Sequence, residues 1–201
     1  MVAPTSEPVT LAQASKQCVG SDLVSDKALL LRLISSERSF VEKYCGIKIM
    51  TQTLSLKCDS FSNFERVPAA PVQSITSIAY VDVYGAAQTL DSSVYEVRTD
   101  GMDAAIVLNF GQSWPAIQKG SRIAVPLVAG FPDISTEPDL VSAILLRIGN
   151  GFHLSKRDPT LRLESLEGVI RRDWDNTGAM DTVFRQAVAD LLENYRCWMA
   201  L

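Results

Sequence analysis

The sequence predicts an α+β fold. It is mostly a helical bundle of two long helices and a short N-terminal one, with a small antiparallel β-sheet inserted at about 49–130 and a C-terminal arm ending in a helix. Three observations carry this. Residues 29–44 and 140–152 place apolar side chains three and four apart, the spacing of one helical face. Residues 51–58 switch to strict alternation, the period of a strand. Between them, Gly and Pro punctuate a series of short β-rich segments.

The elements follow in order. Residues 1–8 carry two prolines among small polar residues and read as a flexible lead-in. Thr10 caps a short helix over Leu11–Cys18. Ser25 or Asp22 caps a longer one reaching about Tyr44. Its apolar face is Leu29, Leu30, Leu33, Ile34, Phe40, Val41 and Tyr44, and Gly46 stops it as a left-handed cap. In the strand that follows, Gln52, Leu54, Leu56 and Cys58 share one side. One strand over about 72–83 leads to a hairpin turn at Tyr84-Gly85-Ala86-Ala87, and shorter strands fall near 94–98, 104–110 and 121–128. Pro138 opens the second long helix, with Leu140, Val141, Ile144, Leu145, Ile148 and Phe152 in a wide apolar stripe. A helix this apolar lies deep in a core or between subunits. Residues 160–178 show no clean period, so 155–180 reads as a linker or mobile arm; a third helix spans Asp181–Met199. The domain division is 1–158 and a C-terminal extension, 159–201.

Composition narrows the function. A chain of 201 residues, 47% apolar and 21% charged, supports one folded domain plus an extension. The net charge of −4 argues against a DNA-coating protein, whose surface would be basic. Residues 59–146 hold ten acidic and four basic side chains, whereas 1–58 hold five and seven and 147–201 balance at eight each. The acidic middle serves solubility, or it faces nucleic acid without sticking to it. Cys18, Cys45, Cys58 and Cys197 form no C-x-x-C pair, which suits a reducing compartment. The N-terminus lacks the basic and apolar regions of a signal peptide, and no apolar run nears the ~18 residues of a membrane span. The expectation is a soluble protein made in the cytoplasm.

No catalytic constellation emerges. His153 is the only histidine, sits near a helix C-terminus, and reads as structural. Asp100 and Asp103 flank a Gly turn without the acidic positions of a calcium loop. Gly149-Asn150-Gly151 lies inside a helical pattern, where it marks close helix packing or a kink rather than a phosphate cradle. Arg171-Arg172-Asp173-Trp174-Asp175 mixes cations, acids and an aromatic, which favours a protein contact over nucleic acid; a solvated loop with one packed Trp fits equally. The expectation is no enzyme, no cofactor and no metal.

The ordered series of segments carries a resemblance. A short helix leads to a long one ending Tyr-Cys-Gly-Ile-Lys-Ile. Thr-Gln-Thr, Pro-Val-Gln-Ser-Ile-Thr-Ser-Ile, Val-Tyr-Glu-Val, Trp-Pro, Arg-Ile-x-Val, Ala-Gly-Phe-Pro and an Ala-Ile-Leu-Leu helix follow. Over about 9–157 this resembles the head–tail connector (adaptor) proteins of tailed bacteriophages and gene transfer agents, and 160–201 matches more loosely. The resemblance implies a virion neck protein. Its subunits, usually twelve, form a ring under the portal, extend the DNA channel and receive a stopper or other neck protein, with DNA passing through without sequence-specific binding. It implies a C-terminal segment that reaches the portal, through Arg171, Arg172, Trp174, Phe184, Tyr195 and Trp198.

Three other readings compete. A stopper or tail-completion factor is usually smaller and more purely β. A small cytosolic enzyme would use carboxylates or Cys58. A regulatory domain would stay monomeric beside any portal.

Overall fold

The computed structural model describes residues 4–156, 163–166, 170–173 and 179–197. The fold is α+β, as the sequence predicts, with two 19-residue helices and a small antiparallel sheet. The chain divides into two units. One comprises Met1–Ser6, Glu42–Ile134 and Tyr195–Leu201; the other comprises Glu7–Val41 and Ser135–Asn194.

The first unit is the β region. Its sheet contains β1 (Gln52–Cys58), β2 (Val72–Ile75), β3 (Ala79–Val81), β4 (Ala87–Thr89) and β7 (Ile123–Ala129). The order is β1-β7-β3-β4, all antiparallel, and β2 also pairs with β7. Strands β5 (Tyr95–Asp100) and β6 (Asp103–Leu108) form a separate hairpin. The alternation predicted for 51–58 holds: Leu54 and Leu56 lie opposite buried Leu127 and Val125. The core adds Phe61 and Phe64 from a 3-10 turn, Ile78, Leu90 and Ile106. Phe61 stacks on Trp114 with centroids 4.8 Å apart, and Phe64 meets both rings edge-on.

One strand was expected over 72–83, and two are present. The cause is Pro126 in the middle of β7. Thr76 N–H donates to its carbonyl at 2.9 Å, so the proline's ring nitrogen faces the same side and has no proton to return. The ladder loses that bond, β2 ends at Ile75, and pairing resumes where Ala79 meets Ala124.

The second unit is helical. Helix α1 (Leu11–Gln17) opens on the predicted Thr10, which forms a reciprocal capping box with Gln13. Helix α2 (Lys27–Cys45) opens differently from expectation. Asp26 supplies the first carbonyl, accepting from Leu30 N–H, while the Asp22 carboxylate takes the turn amides of Val24 and Ser25. Beyond Val41 this helix passes into the first unit, where Gly46 (φ +72°) and an Ile47 N–H to Glu42 O bond of 3.0 Å close it. Helix α3 (Pro138–Lys156) buries Leu140, Ile144, Ile148 and Phe152 as predicted, and α1 and α4 pack against it. Gly149 and Gly151 mark close approach. A Cβ on Gly151 would sit 3.0 Å from the Leu33 side chain, and one on Gly149 would touch Gln17.

The described parts of the segment expected to be a linker hold secondary structure. Helix α3 runs to Lys156, and β8 (Leu163–Leu166) pairs antiparallel with β9 (Ile170–Asp173). The last helix, α4, covers Ala179–Leu192 rather than Asp181–Met199, and a 3-10 turn, Glu193–Tyr195, replaces its end.

Candidate functional site

The cysteines lie mainly in the interior. Cys18, Cys45 and Cys58 are buried free thiols. Burial pushes each above the ordinary thiol value, Cys45 to about 11, and Asp59 adds to the rise at Cys58. A thiol held protonated at neutral pH is a poor nucleophile, which weakens the Cys58 enzyme reading. Asp103 holds Arg66 at 2.8 Å beside the β5–β6 turn. His153 is exposed in the last turn of α3, edge-on to Phe152. Among the described residues no group of three His, Cys, Asp or Glu side chains is placed to hold a metal, and no helix is long and apolar enough to cross a membrane.

The candidate contact residues fall in different places. Arg171 and Arg172 sit on β9, in register with Ser165 and Glu164. Phe184 is half-buried on α4, next to the exposed Val183. Tyr195 belongs to the first unit, where its ring meets Phe131 edge-on at 6.3 Å. Trp174 and Trp198 lie outside the described residues.

What the structure adds is a docked C-terminal segment and a set of presented apolar side chains. In the first unit, Cys197 N–H donates to Cys45 O at 2.8 Å, and the Arg196 guanidinium lies 5.1 Å from the centre of the Tyr44 ring. The β3–β4 turn holds Tyr84 outward, 92% exposed, with Val83 beside it. The turn is tied by its own side chain: the Asp82 carboxylate accepts from Tyr84 N–H at 2.9 Å, Ala86 N–H at 3.0 Å and Gln88 Nε2 at 3.0 Å. Phe110 is fully exposed beyond β6. In the second unit Val19, Leu23, Val24 and Leu31 are exposed around the start of α2. Only the Tyr84 turn was visible beforehand, as a Gly signal between strands.

The second unit's frame is braced by partly buried ions. Arg147 Nε binds Glu37 at 2.5 Å, and its guanidinium lies 3.6 Å from the centre of the Phe40 ring. Lys156 Nζ reaches the buried Asp26 at 2.5 Å, which holds that carboxyl below its ordinary range. These pairs tie α3 to α2 and to the residue that opens it.

The fold resembles that of chains in solved gene transfer agent particles. A chain in the neck of an empty gene transfer agent (GTA) particle, computed with C6 symmetry, matches with a TM-score of 0.67 at 19% identity, over 100% of this chain and 97% of that one. A chain in the virion of a native GTA particle matches with a TM-score of 0.67 at 18% identity, and one in the neck of a native GTA particle, computed with C12 symmetry, with 0.61 at 18%. Both cover 100% of this chain and 97% of theirs. No family model and no curated protein matches the chain.

Proposed function

We propose that the chain is a head–tail connector subunit of a virion neck. Copies close into a ring beneath the portal of a DNA-filled capsid, extend the DNA channel and give the next neck protein its docking surface. The observation that carries the reading is the end-to-end fold likeness to a GTA neck chain. Ring closure is a heterologous contact repeated until it meets itself, and the portal's repeated sites make weak single contacts add up. The acidic middle of the chain suits a channel wall, since it repels phosphate and lets DNA slide. In this reading the extension 159–201 faces the portal and offers Arg171, Arg172, Trp174, Phe184, Tyr195 and Trp198.

The test is co-expression with the portal protein of the same genome, then light scattering and negative-stain imaging. The expected result is a portal ring carrying an added layer with about one subunit per portal chain. Two separate species would refute the reading. Truncation after Asp158 is a blunt probe of the arm, because it strips α4, with buried Val188 and Leu192, from α3. Arg171→Gln with Arg172→Gln is the sharper one, since it removes both charges without setting an acid opposite Glu164. It should abolish portal binding with the melting temperature unchanged, and undiminished binding would remove the arm from the interface.

A further inference from the structure

The four-strand path of the first unit ends in two free edges. Among the described residues β1 pairs only with β7, and β4 pairs only with β3. All three residues of β4 are exposed, as are Thr53, Ser55 and Lys57 of β1.

The backbone direction at each edge follows from bonds already described. In a strand, one residue's N–H and C=O point to the same side, and the next residue's point to the other. The Pro126 carbonyl faces β2, because it accepts from Thr76. Ala124, Pro126 and Val128 therefore face β2 and β3, and Val125 and Leu127 face β1. In register with them, Leu54 and Leu56 bond inward, so Thr53, Ser55 and Lys57 aim their N–H and C=O groups out of the sheet. At the far side, Leu90 N–H donates to Ile78 O and Asp82 N–H to Ala86 O, which turns Gln88 inward. Ala87 and Thr89 then aim outward.

These edges suit each other. Every neighbouring pair along β1-β7-β3-β4 is antiparallel, so β1 and β4 run in opposite senses. The side chains of the outward-bonding residues also share a face. Ser55 lies across from Pro126, and Thr89 connects through Ala79 to Ala124. Joining the two edges thus keeps one continuous core face, with Leu54 and Leu56 of one copy in line with Gln88 and Leu90 of the next. It also covers Leu54 and Leu56, which are only half-buried at the rim of the core.

We infer that neighbouring copies of this chain join edge to edge, β4 of one hydrogen-bonding antiparallel to β1 of the next, so that the sheet runs on around the ring. The inference rests on the connector reading above. The junction is head-to-tail, the kind that closes a ring, and it satisfies backbone groups that otherwise leave an exposed edge open to any strand.

The experiment uses the full chain assembled on the portal and a short bis-maleimide crosslinker. Ser55→Cys with Thr89→Cys in one chain should give a ladder of crosslinked species ending at the closed ring. Each single variant should add nothing to the background of the four native cysteines, and a mixture of the two should stop at dimers. Ser55→Pro removes one outward N–H without touching the β7 ladder. It should leave the melting temperature unchanged and cut ring formation by ~tenfold or more. Rings seen by imaging with no ladder from the double variant overturn the junction and leave the connector reading standing. So does a crosslinked dimer from one single variant alone, which would mean like edges pairing, or a crosslink to another neck protein's strand. Failure of the unmodified chain to form a ring on the portal overturns both.

Discussion

Phe64 is the side chain whose removal tests the packing of the β unit most directly. It is fully buried in the Phe61–Phe64–Trp114 cluster, with ring centroids 5.7 Å and 6.0 Å from its two partners and planes near perpendicular. Phe64→Ala deletes the ring and leaves a cavity, at about 3–5 kcal/mol. Phe64→Leu keeps most of the apolar volume and loses the two edge contacts, which at ~0.5–1.5 kcal/mol each total about 1–3 kcal/mol. For a chain of this size each kcal/mol lowers the melting point by about 2–4 °C, so the alanine variant should melt ~6–20 °C lower. Urea unfolding followed by far-UV circular dichroism gives both energies. Combining Phe64→Leu with Trp114→Leu in a double-mutant cycle should return a coupling of ~0.5–1.5 kcal/mol. An alanine variant costing under about 1 kcal/mol, or a leucine variant as costly as alanine, would refute an aromatic cluster at the centre of this unit.

Gly130 has φ +117°, and a Cβ there would lie 2.3 Å from the Met50 carbonyl oxygen, so Gly130→Ala should cost more than ~3 kcal/mol and show as lost soluble yield. Stability should also depend on pH in one direction. Asp22 and Asp26 are held below the ordinary carboxylate value, Asp22 by the Val24 and Ser25 amides and Asp26 by Lys156. The same holds for Asp82, chiefly through Gln88, and Asp91, through Ser93. Groups with depressed folded values stabilise the fold above their unfolded value of ~3.9 and lose that contribution as pH falls through the folded one. Melting temperature should therefore hold from pH 7 to about 5 and drop below about 4, less steeply in Asp82→Asn; a melting point that rises on acidification would contradict this. Of the four thiols only Cys197 is partly exposed. Maleimide at neutral pH should label at most that one in the native protein and all of them in urea, as counted by intact mass.

Local signals were read well from the sequence, and long-range ones were not. The Thr10 cap, the Gly46 stop, the alternation over 52–58 and the stripe on α3 each depend on residues within a few positions of one another. The break between β2 and β3 depends on Pro126, about fifty residues downstream, so no window around 72–83 contains its cause. The β8–β9 hairpin was missed because 160–178 carries no alternation to read. Phe61, Phe64 and Trp114 come from irregular segments and escape any periodicity, although they centre the β core. For the surface, the Arg and aromatic residues of the tail stood out by type, whereas Tyr84 and Phe110 stand out only once burial is known.

The placement of β7 also sets a timetable for synthesis. Its partners in β1 precede it by 65 to 77 residues, from Cys58 with Ile123 to Gln52 with Ala129. At ~5–20 residues per second the ribosome delivers β1 roughly 3–15 s before the strand that completes it. Through that interval Leu54 and Leu56 have no β7 to lie against, while α1 and α2 are already made. The nascent chain thus waits with an amphipathic segment in hand, and a cell making many copies at once on one messenger holds many such segments side by side. Slowing translation between codons 59 and 122 lengthens that wait and should raise the share of chain lost to aggregation, whereas slowing it after codon 130 should not.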